Sequence, residues 1–315
     1  MAMPVAIHQP IVGVDVAKDE LVMYHAESDQ LETIPNTKAA IKKWLKALST
    51  RVDIAIEATN IYHLEFADLA HKAGCLIYMV GGYELSHYRK GVNVRAKTDA
   101  LDARLLARYL KNEGQELKPW RPPSPLYRRL VSLFRRRAAV VQARVSLSQA
   151  WANEPLLKAA FKRQVSAMQR LETLVEQKIQ EELKEAGLLG QLKRCMKVEG
   201  IGLLTGARLI ASFQRGDFRN ADAFIAFLGL DLRIAQSGRK KGRSCLTKRG
   251  DPEVRRLLHN AAMSARRTER WKGVYEALLA RGLSTTQAMV ALSRKLARVV
   301  FALLKSQSEY QPKSV

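Results

Sequence analysis

Asp15 lies inside an apolar, β-branched run, Ile11-Val-Gly-Val-Asp-Val-Ala17. Aspartate is depleted in strand interiors, and an unpaired buried carboxylate is strongly unfavourable. Glu57 ends a second apolar run that starts at Val52, and Asp99 and Asp102 stand at i, i+3 spacing, on one side of a helix start. Where several such acids converge, a divalent cation is the usual compensation. Four carboxylates suit a hard-oxygen site for one or two Mg²⁺ serving in-line phosphoryl transfer. Gly13, on the same strand face as Asp15, is expected to leave room beside it. Singly, each acid has an ordinary reading. Asp99 is favoured by the helix dipole, Asp102 can be exposed or pair with Arg104 or Arg108, and Glu57 can cap a turn. Asp15 is the hardest to explain that way.

A second chemical feature is the segment Gln236–Gly250. Of its fifteen residues six are basic, none is acidic and three are glycine. Such a segment cannot fold on its own hydrophobicity, but Arg239, Lys240, Lys241, Arg243, Lys248 and Arg249 can wrap a phosphodiester backbone. Ser237 and Ser244 are the candidate nucleophiles in it, and spacing does not choose between them. Either hydroxyl needs a base or metal, and cations to offset the phosphorane charge. The Gly-x-x-x-x-Gly-Lys-Ser/Thr pattern of an ATP-binding loop is absent. A third feature, Val198-Glu-Gly-Ile-Gly202 ahead of a helix, looks like the turn of a helix-hairpin-helix element. There Gly200 and Gly202 would let backbone amides grip a phosphate. An ordinary helix-joining turn is the alternative.

The elements that must position these groups follow from the pattern. Strands are expected at 11–17, 21–26, near 32–35, at 52–57 and at 75–80. Helices are expected at 38–48, 62–73 and 99–110. The order β-β-β-α-β-α-β-α gives a mixed sheet flanked by helices. Pro119–Pro125 holds four prolines in seven residues and marks a boundary. Beyond it a leucine step from Leu126 to Trp151, broken by Arg137 and Arg144, and a second helix from Asn153-Glu154-Pro155 to about Leu183 suggest a helical hairpin arm, with coiled-coil character. The remainder is mainly helical. Asp251-Pro252 opens a helix running to about Thr268, and Ser284-Thr-Thr-Gln287 is a capping box. Three domains are expected: 1–121, 122–190 and 191–315.

Charge points to the partner. The 315 residues carry a formal net charge of +23. Residues 1–95 hold 10 Lys and Arg against 11 Asp and Glu, so the excess lies wholly beyond them. A polyanion is the expected partner. Nucleic acid fits better than a membrane surface, because no clustered Trp or Phe anchor accompanies the basic residues. No run is long and apolar enough for a membrane span, and the first ten residues do not read as a secretory signal. Cys75, Cys195 and Cys245 are far apart without His partners. They read as small buried apolar residues in a reducing cytoplasm, not as zinc ligands.

The stretches Val12-Gly-Val-Asp-Val-Ala-Lys18, Ile56-Glu-Ala-Thr-Asn-Ile-Tyr62 and Lys97-Thr-Asp-Ala-Leu-Asp-Ala-Arg104 resemble the first domain of the DEDD transposases. These form the insertion-sequence-110 family, related to the Piv-type DNA invertases. Val198–Gly202, Phe224–Leu230, Gln236-Ser-Gly238 and Leu246–Gly250 resemble its C-terminal transposase domain. The resemblance runs nearly end to end. It implies a RuvC-like, RNase H-type fold for the first domain, with Asp15, Glu57, Asp99 and Asp102 as a Mg²⁺-binding tetrad. It also implies Ser237, before Gly238, as a nucleophile forming a transient phosphoserine with DNA. The implied partners are element and target DNA, a structured non-coding guide RNA, and further copies of the chain as a homodimer assembling to a tetramer. The implied setting is the bacterial cytoplasm, at the nucleoid. Glu199 stands where many relatives have Pro, and Asp231-Leu232 where Thr-Pro is usual. The competing readings are a DNA invertase, a Holliday-junction resolvase or nuclease that activates water at the tetrad, and a non-catalytic nucleic-acid binder.

Overall fold

The computed structural model describes residues 9–58, 61–94, 96–233 and 245–311, and the backbone alone of 236, 237, 240 and 241. The chain forms two compact units, Met1–Pro122 and Pro123–Val315. The first is mixed α/β, the second mainly helical.

In the first unit β1 (Ile11–Val16), β2 (Glu20–His25), β3 (Gln30–Pro35), β4 (Asp53–Glu57) and β5 (Leu76–Val80) form one sheet in the order β3-β2-β1-β4-β5. The first three strands meander antiparallel, while β1, β4 and β5 run parallel. Strand alternation separates the faces. Val12, Val14, Val16, Ile54, Ile56 and Ile77 pack with Trp44 and Phe66, carried by α1 (Lys38–Ala47) and α2 (His63–Lys72). The other face presents Ile11, Ala55, Tyr78 and Val80 to Leu105, Leu106 and Leu110 of α4 (Asp99–Glu113). Gly13 belongs to this face. A Cβ there would lie 2.0 Å from the Ala103 carbonyl oxygen and 2.7 Å from the Ala107 nitrogen. The space expected beside Gly13 is therefore filled by the backbone of α4, and the missing side chain is what lets that helix lie against β1.

One helix of this unit was not expected. After β5 the chain forms α3 (Gly82–Gly91), where the Gly81-Gly82 pair reads only as a strand end. Leu85 is its one buried residue, so it carries no apolar period.

The second unit opens with α5 (Pro125–Ala150), capped by Ser124 with Pro125 in its first turn, and returns along α6 (Lys158–Glu185). The return helix starts at Lys158 instead of near Asn153–Pro155. Leu157 is left-handed, with φ +59°, and cannot extend the helix backwards. Arg137 and Arg144, which interrupt the leucine step, pair across the hairpin. Arg144 Nε donates to Glu172 at 2.6 Å and Arg137 Nε to Glu176 at 2.9 Å. Only the base of the hairpin (Leu130, Phe134, Ile179, Leu183) is deeply buried, and it shares one core with the C-terminal helices. These are α7 (Leu189–Met196), α8 (Leu203–Phe213), α9 (Ala221–Phe227), α10 (Pro252–Ala265), α11 (Glu269–Ala280) and α12 (Thr285–Ser306). α7 and α11 were not anticipated, and α10 stops three residues short of Thr268. The cap at Asp251 and the box between Ser284 and Gln287 form as expected. Among the described residues no helix is long and apolar enough to cross a membrane. Cys75 and Cys195 are buried, whereas Cys245 is exposed on a short strand, against expectation.

Candidate active site

The acids of the first unit meet where the parallel strands end. β1 and β4 are in register through Val14 and Ile56. Asp15 and Glu57 are each the next residue, so both leave the sheet on the face covered by α4. Thr98 caps α4, its hydroxyl accepting from the Leu101 amide at 3.3 Å. That fixes the first turn, which carries an exposed Asp99 and a buried Asp102. Glu57 has room because residue 82 is glycine: a Cβ there would come within 2.6 Å of the Glu57 Oε1.

The electrostatics record the crowding. Burial, followed by repulsion from Asp99, Asp102 and Glu57, pushes the Asp15 carboxyl up to about 6. Burial and then Asp102 raise Glu57 as well, against the pull of Lys97 and Arg89. Among the described residues one cation hydrogen-bonds to the cluster: the Arg89 guanidinium of α3 donates to Asp102 Oδ1. Sequence reasoning missed Arg89, which sits on the helix it did not foresee. Among the described residues no three His, Cys, Asp or Glu side chains surround a common point closely enough to hold an ion. With Asp102 turned to Arg89 and the other acids repelling one another, the cluster is convergent but open. Its chemistry nevertheless fits a divalent cation: partly desolvated, hard oxygen donors with an unmet demand for positive charge. Asp53, at the opposite end of β4, is a useful contrast. It too is buried, with its carboxyl pushed up to about 6 by burial, but among the described residues its Oδ1 has no partner and none of the four acids acts on it.

In the second unit the basic segment is built as two short antiparallel ladders. β6 (Leu232–Arg233) pairs with β9 (Cys245–Leu246), and β7 (Gln236–Ser237) with β8 (Lys240–Lys241). Ser237 is thus opposite Lys240 in register. Its side chain and those of Lys240 and Lys241 lie outside the described residues, as do Arg239, Arg243 and Ser244. The neck of the segment is closely defined. Gly229, with φ +69°, packs on Gly250, and a Cβ on Gly250 would lie 2.4 Å from the Leu228 carbonyl carbon. The Thr247 hydroxyl donates to Asp231, the Thr247 amide donates to the Asp231 carbonyl at 3.0 Å, and Arg255 donates to the Gly250 carbonyl at 2.5 Å. Asp251 then accepts from the fully buried Arg208 at 2.7 Å. Burial alone would raise the Asp251 carboxyl, but Arg208 holds it below the usual value. Lys248 and Arg249 are exposed beside this neck.

The two glycines of the Val198–Gly202 turn differ. Gly200, with φ +88°, is pressed on α10, where a Cβ would meet the Ala261 carbonyl at 2.4 Å. Its need for glycine is one of packing. Gly202 opens α8 in free space, with no side-chain cap over the helix amides. Glu199 beside them accepts from the Tyr310 hydroxyl at 2.7 Å and the Trp271 Nε1 at 3.2 Å.

Known sequences bear on this arrangement. The family model of the IS110-type DEDD transposases, described as "Transposase", matches residues 12–161. The model described as "Transposase IS116/IS110/IS902 family" matches residues 192–276. This chain belongs to the IS110 family of transposases. All four acids fall in the first match, and the basic segment with its neck in the second. Among curated relatives, a "Probable family 20 transposase" of Pseudomonas aeruginosa is 34% identical over 130 residues, covering 39% of this transposase and 38% of that protein. The "Pilin gene-inverting protein" of Moraxella bovis is 24% identical over 316 residues, covering 95% and 97%. A solved structure titled "T. thermophilus RuvC in complex with Holliday junction substrate" is 13% identical, covers 36% of this chain and 100% of its own, and has a TM-score of 0.25.

Proposed function

We propose that this transposase cleaves and rejoins element and target DNA, with Asp15, Glu57, Asp99 and Asp102 as a Mg²⁺-binding tetrad and Ser237 as the nucleophile. The single observation that carries the reading is the convergence of the acids, in which all three other carboxylates raise the partly buried Asp15. Strand order and sense, three antiparallel strands and then two parallel ones, support the RuvC-like, RNase H-type reading of the first unit. Bound Mg²⁺ would offset the phosphate charge and polarise the scissile bond. The four acids supply its oxygen donors. The Ser237 hydroxyl attacks phosphorus, and the departing deoxyribose oxygen leaves as a hydroxyl that takes up the proton. A free DNA hydroxyl attacks the phosphoserine in turn, restoring Ser237 and joining the strand. One phosphodiester is exchanged for another, so no ATP is consumed.

Basic residues of 239–249 offset the charge of the transition state and, with the amides at Gly202, bind the backbone. A structured non-coding RNA guides the choice of target. The hairpin arm, 122–190, and the C-terminal region, 191–315, serve assembly and catalysis respectively, in a dimer that pairs to a tetramer. Exposed Val145, Leu147, Leu171 and Leu174 on the hairpin support a role in assembly. The setting is the bacterial cytoplasm. Ser237→Ala and Asp15→Ala each abolish recombination and leave nucleic-acid binding within a few-fold. Covalent or recombined product from Ser237→Ala, on a DNA substrate that traps the phosphoserine, overturns the serine assignment. A second reading, inversion of a DNA segment, is favoured by the full-length match to the Moraxella bovis protein. Substrates bearing sites in inverted or separate arrangement distinguish the two.

A further inference from the structure

We propose that Arg89 is a resident counter-ion of the acid cluster, which an incoming divalent cation must displace from Asp102. The inference rests on the metal reading above and adds a step before it: the site holds a protein cation until a metal takes its place.

The pair is well protected. The Arg89 side chain is 17% exposed and that of Asp102 6%, so solvent screens it little. Yet the guanidinium is not locked in as structural arginines commonly are. Arg144, on the hairpin, places Nε and a second nitrogen on the two oxygens of Glu172. Arg89 instead donates to Asp102 Oδ1 through one terminal nitrogen, and its buried Nε has no partner among the described residues. Fork-to-fork pairing with a carboxylate is the arrangement that fixes an arginine. Here half of the fork is unused, so exchanging Asp102 for another partner breaks one hydrogen bond.

Arg89 also draws Glu57 downward, so its charge acts on a second acid of the cluster. It stands on α3, whose one buried anchor is Leu85, and not on the sheet or α4, which carry the acids. The counter-charge and the carboxylates are therefore on separately anchored elements. A divalent ion brings two positive charges to the place where Arg89 supplies one. The metal and Arg89 would compete for the charge of the one Asp102 carboxylate, and two cations held against the same acid repel each other. Metal entry and departure of Arg89 are one exchange. This accounts for two features together: acids that strongly influence one another, and the absence, among the described residues, of a closed cage around an ion.

The test uses the full chain stripped with chelator and titrated with Mn²⁺, followed by calorimetry and by thermal unfolding. Arg89→Met is expected to bind Mn²⁺ about tenfold or more tightly than the wild type, since a repelling unit charge is removed. Its metal-free melting temperature falls, because the acids lose their counter-charge, and saturating Mn²⁺ restores it. Arg89→Lys keeps the charge and stays within about threefold of the wild type. Lys90→Met, the same charge change at an exposed neighbour, leaves affinity unchanged. If Arg89→Met does not fold, Arg89→Gln carries the same comparison. A wild type that binds Mn²⁺ while Arg89→Met, or Arg89→Gln in its place, binds no tighter, or more weakly, overturns this inference alone. Absence of any Mn²⁺ response in wild type and variants alike overturns the metal reading, and this inference with it.

Discussion

Gly13→Ala tests the packing that brings the acids together. The added methyl carbon would lie 2.0 Å from the Ala103 oxygen and 2.7 Å from the Ala107 nitrogen, both backbone atoms of α4. No rotamer change can relieve a clash with backbone, so the helix must retreat from β1 by on the order of 1 Å to reach ordinary contact distance. Retreat loosens Leu105, Leu106 and Leu110 from the sheet and carries Asp99 and Asp102 away from Asp15. Overpacking a well-packed core costs about 1–3 kcal/mol. The upper end applies here, because a whole helix moves instead of a side chain. For a unit of this size about 3 kcal/mol lowers the melting temperature by roughly 10 °C. Hydrogen exchange followed by mass spectrometry, read on peptides spanning 99–113, reports the effect locally in urea. A loss under about 1 kcal/mol, with protection of those peptides unchanged, would refute the claim that Gly13 exists to seat α4.

Other expectations follow from the same geometry. In metal-free protein the folded Asp15 keeps its proton up to about 6, whereas the unfolded chain releases it near 4. The folded state therefore binds more protons between those values, and stability falls as the pH rises through that window. Asp15→Asn should match the wild type near pH 4 and exceed it by ~2 kcal/mol at pH 8, measured by denaturant unfolding in chelator; equal stability at both values would contradict the raised carboxyl. Glu172→Gln leaves Arg144 and Arg137 without the carboxylate they share and should cost ~2 kcal/mol, seen as a lower melting temperature of the second unit. Gly250→Ala places a methyl group against Leu228 and Gly229 backbone, so it should open the neck and increase protease cleavage between residues 230 and 250 at least several-fold. An unchanged digestion pattern would show that the neck tolerates the methyl.

Much of this chain is legible from near neighbours. Short apolar runs over Ile11–Val16 and Asp53–Glu57 specify strands, the proline cluster separates the two units, and Ser284 with Gln287 caps a helix within one turn. Each signal is local, because strand faces, caps and breaks are decided by residues within four or five positions of one another. Asp15 was conspicuous for the same reason: a carboxylate breaks an apolar pattern wherever the strand is placed. Tertiary structure decided what depends on partners distant in sequence. α3 has a single buried residue and no readable period, yet it delivers Arg89 to an acid thirteen positions away. Gly13 is small for the sake of a helix some ninety residues later, and Gly229 for the sake of Gly250. Asp53 breaks an apolar run much as Asp15 does, but the sheet places it at the end away from the other acids. Side-chain chemistry and local period are properties of the chain; which groups share a dry, low-dielectric space is a property of packing, and here that decides which carboxylates act together.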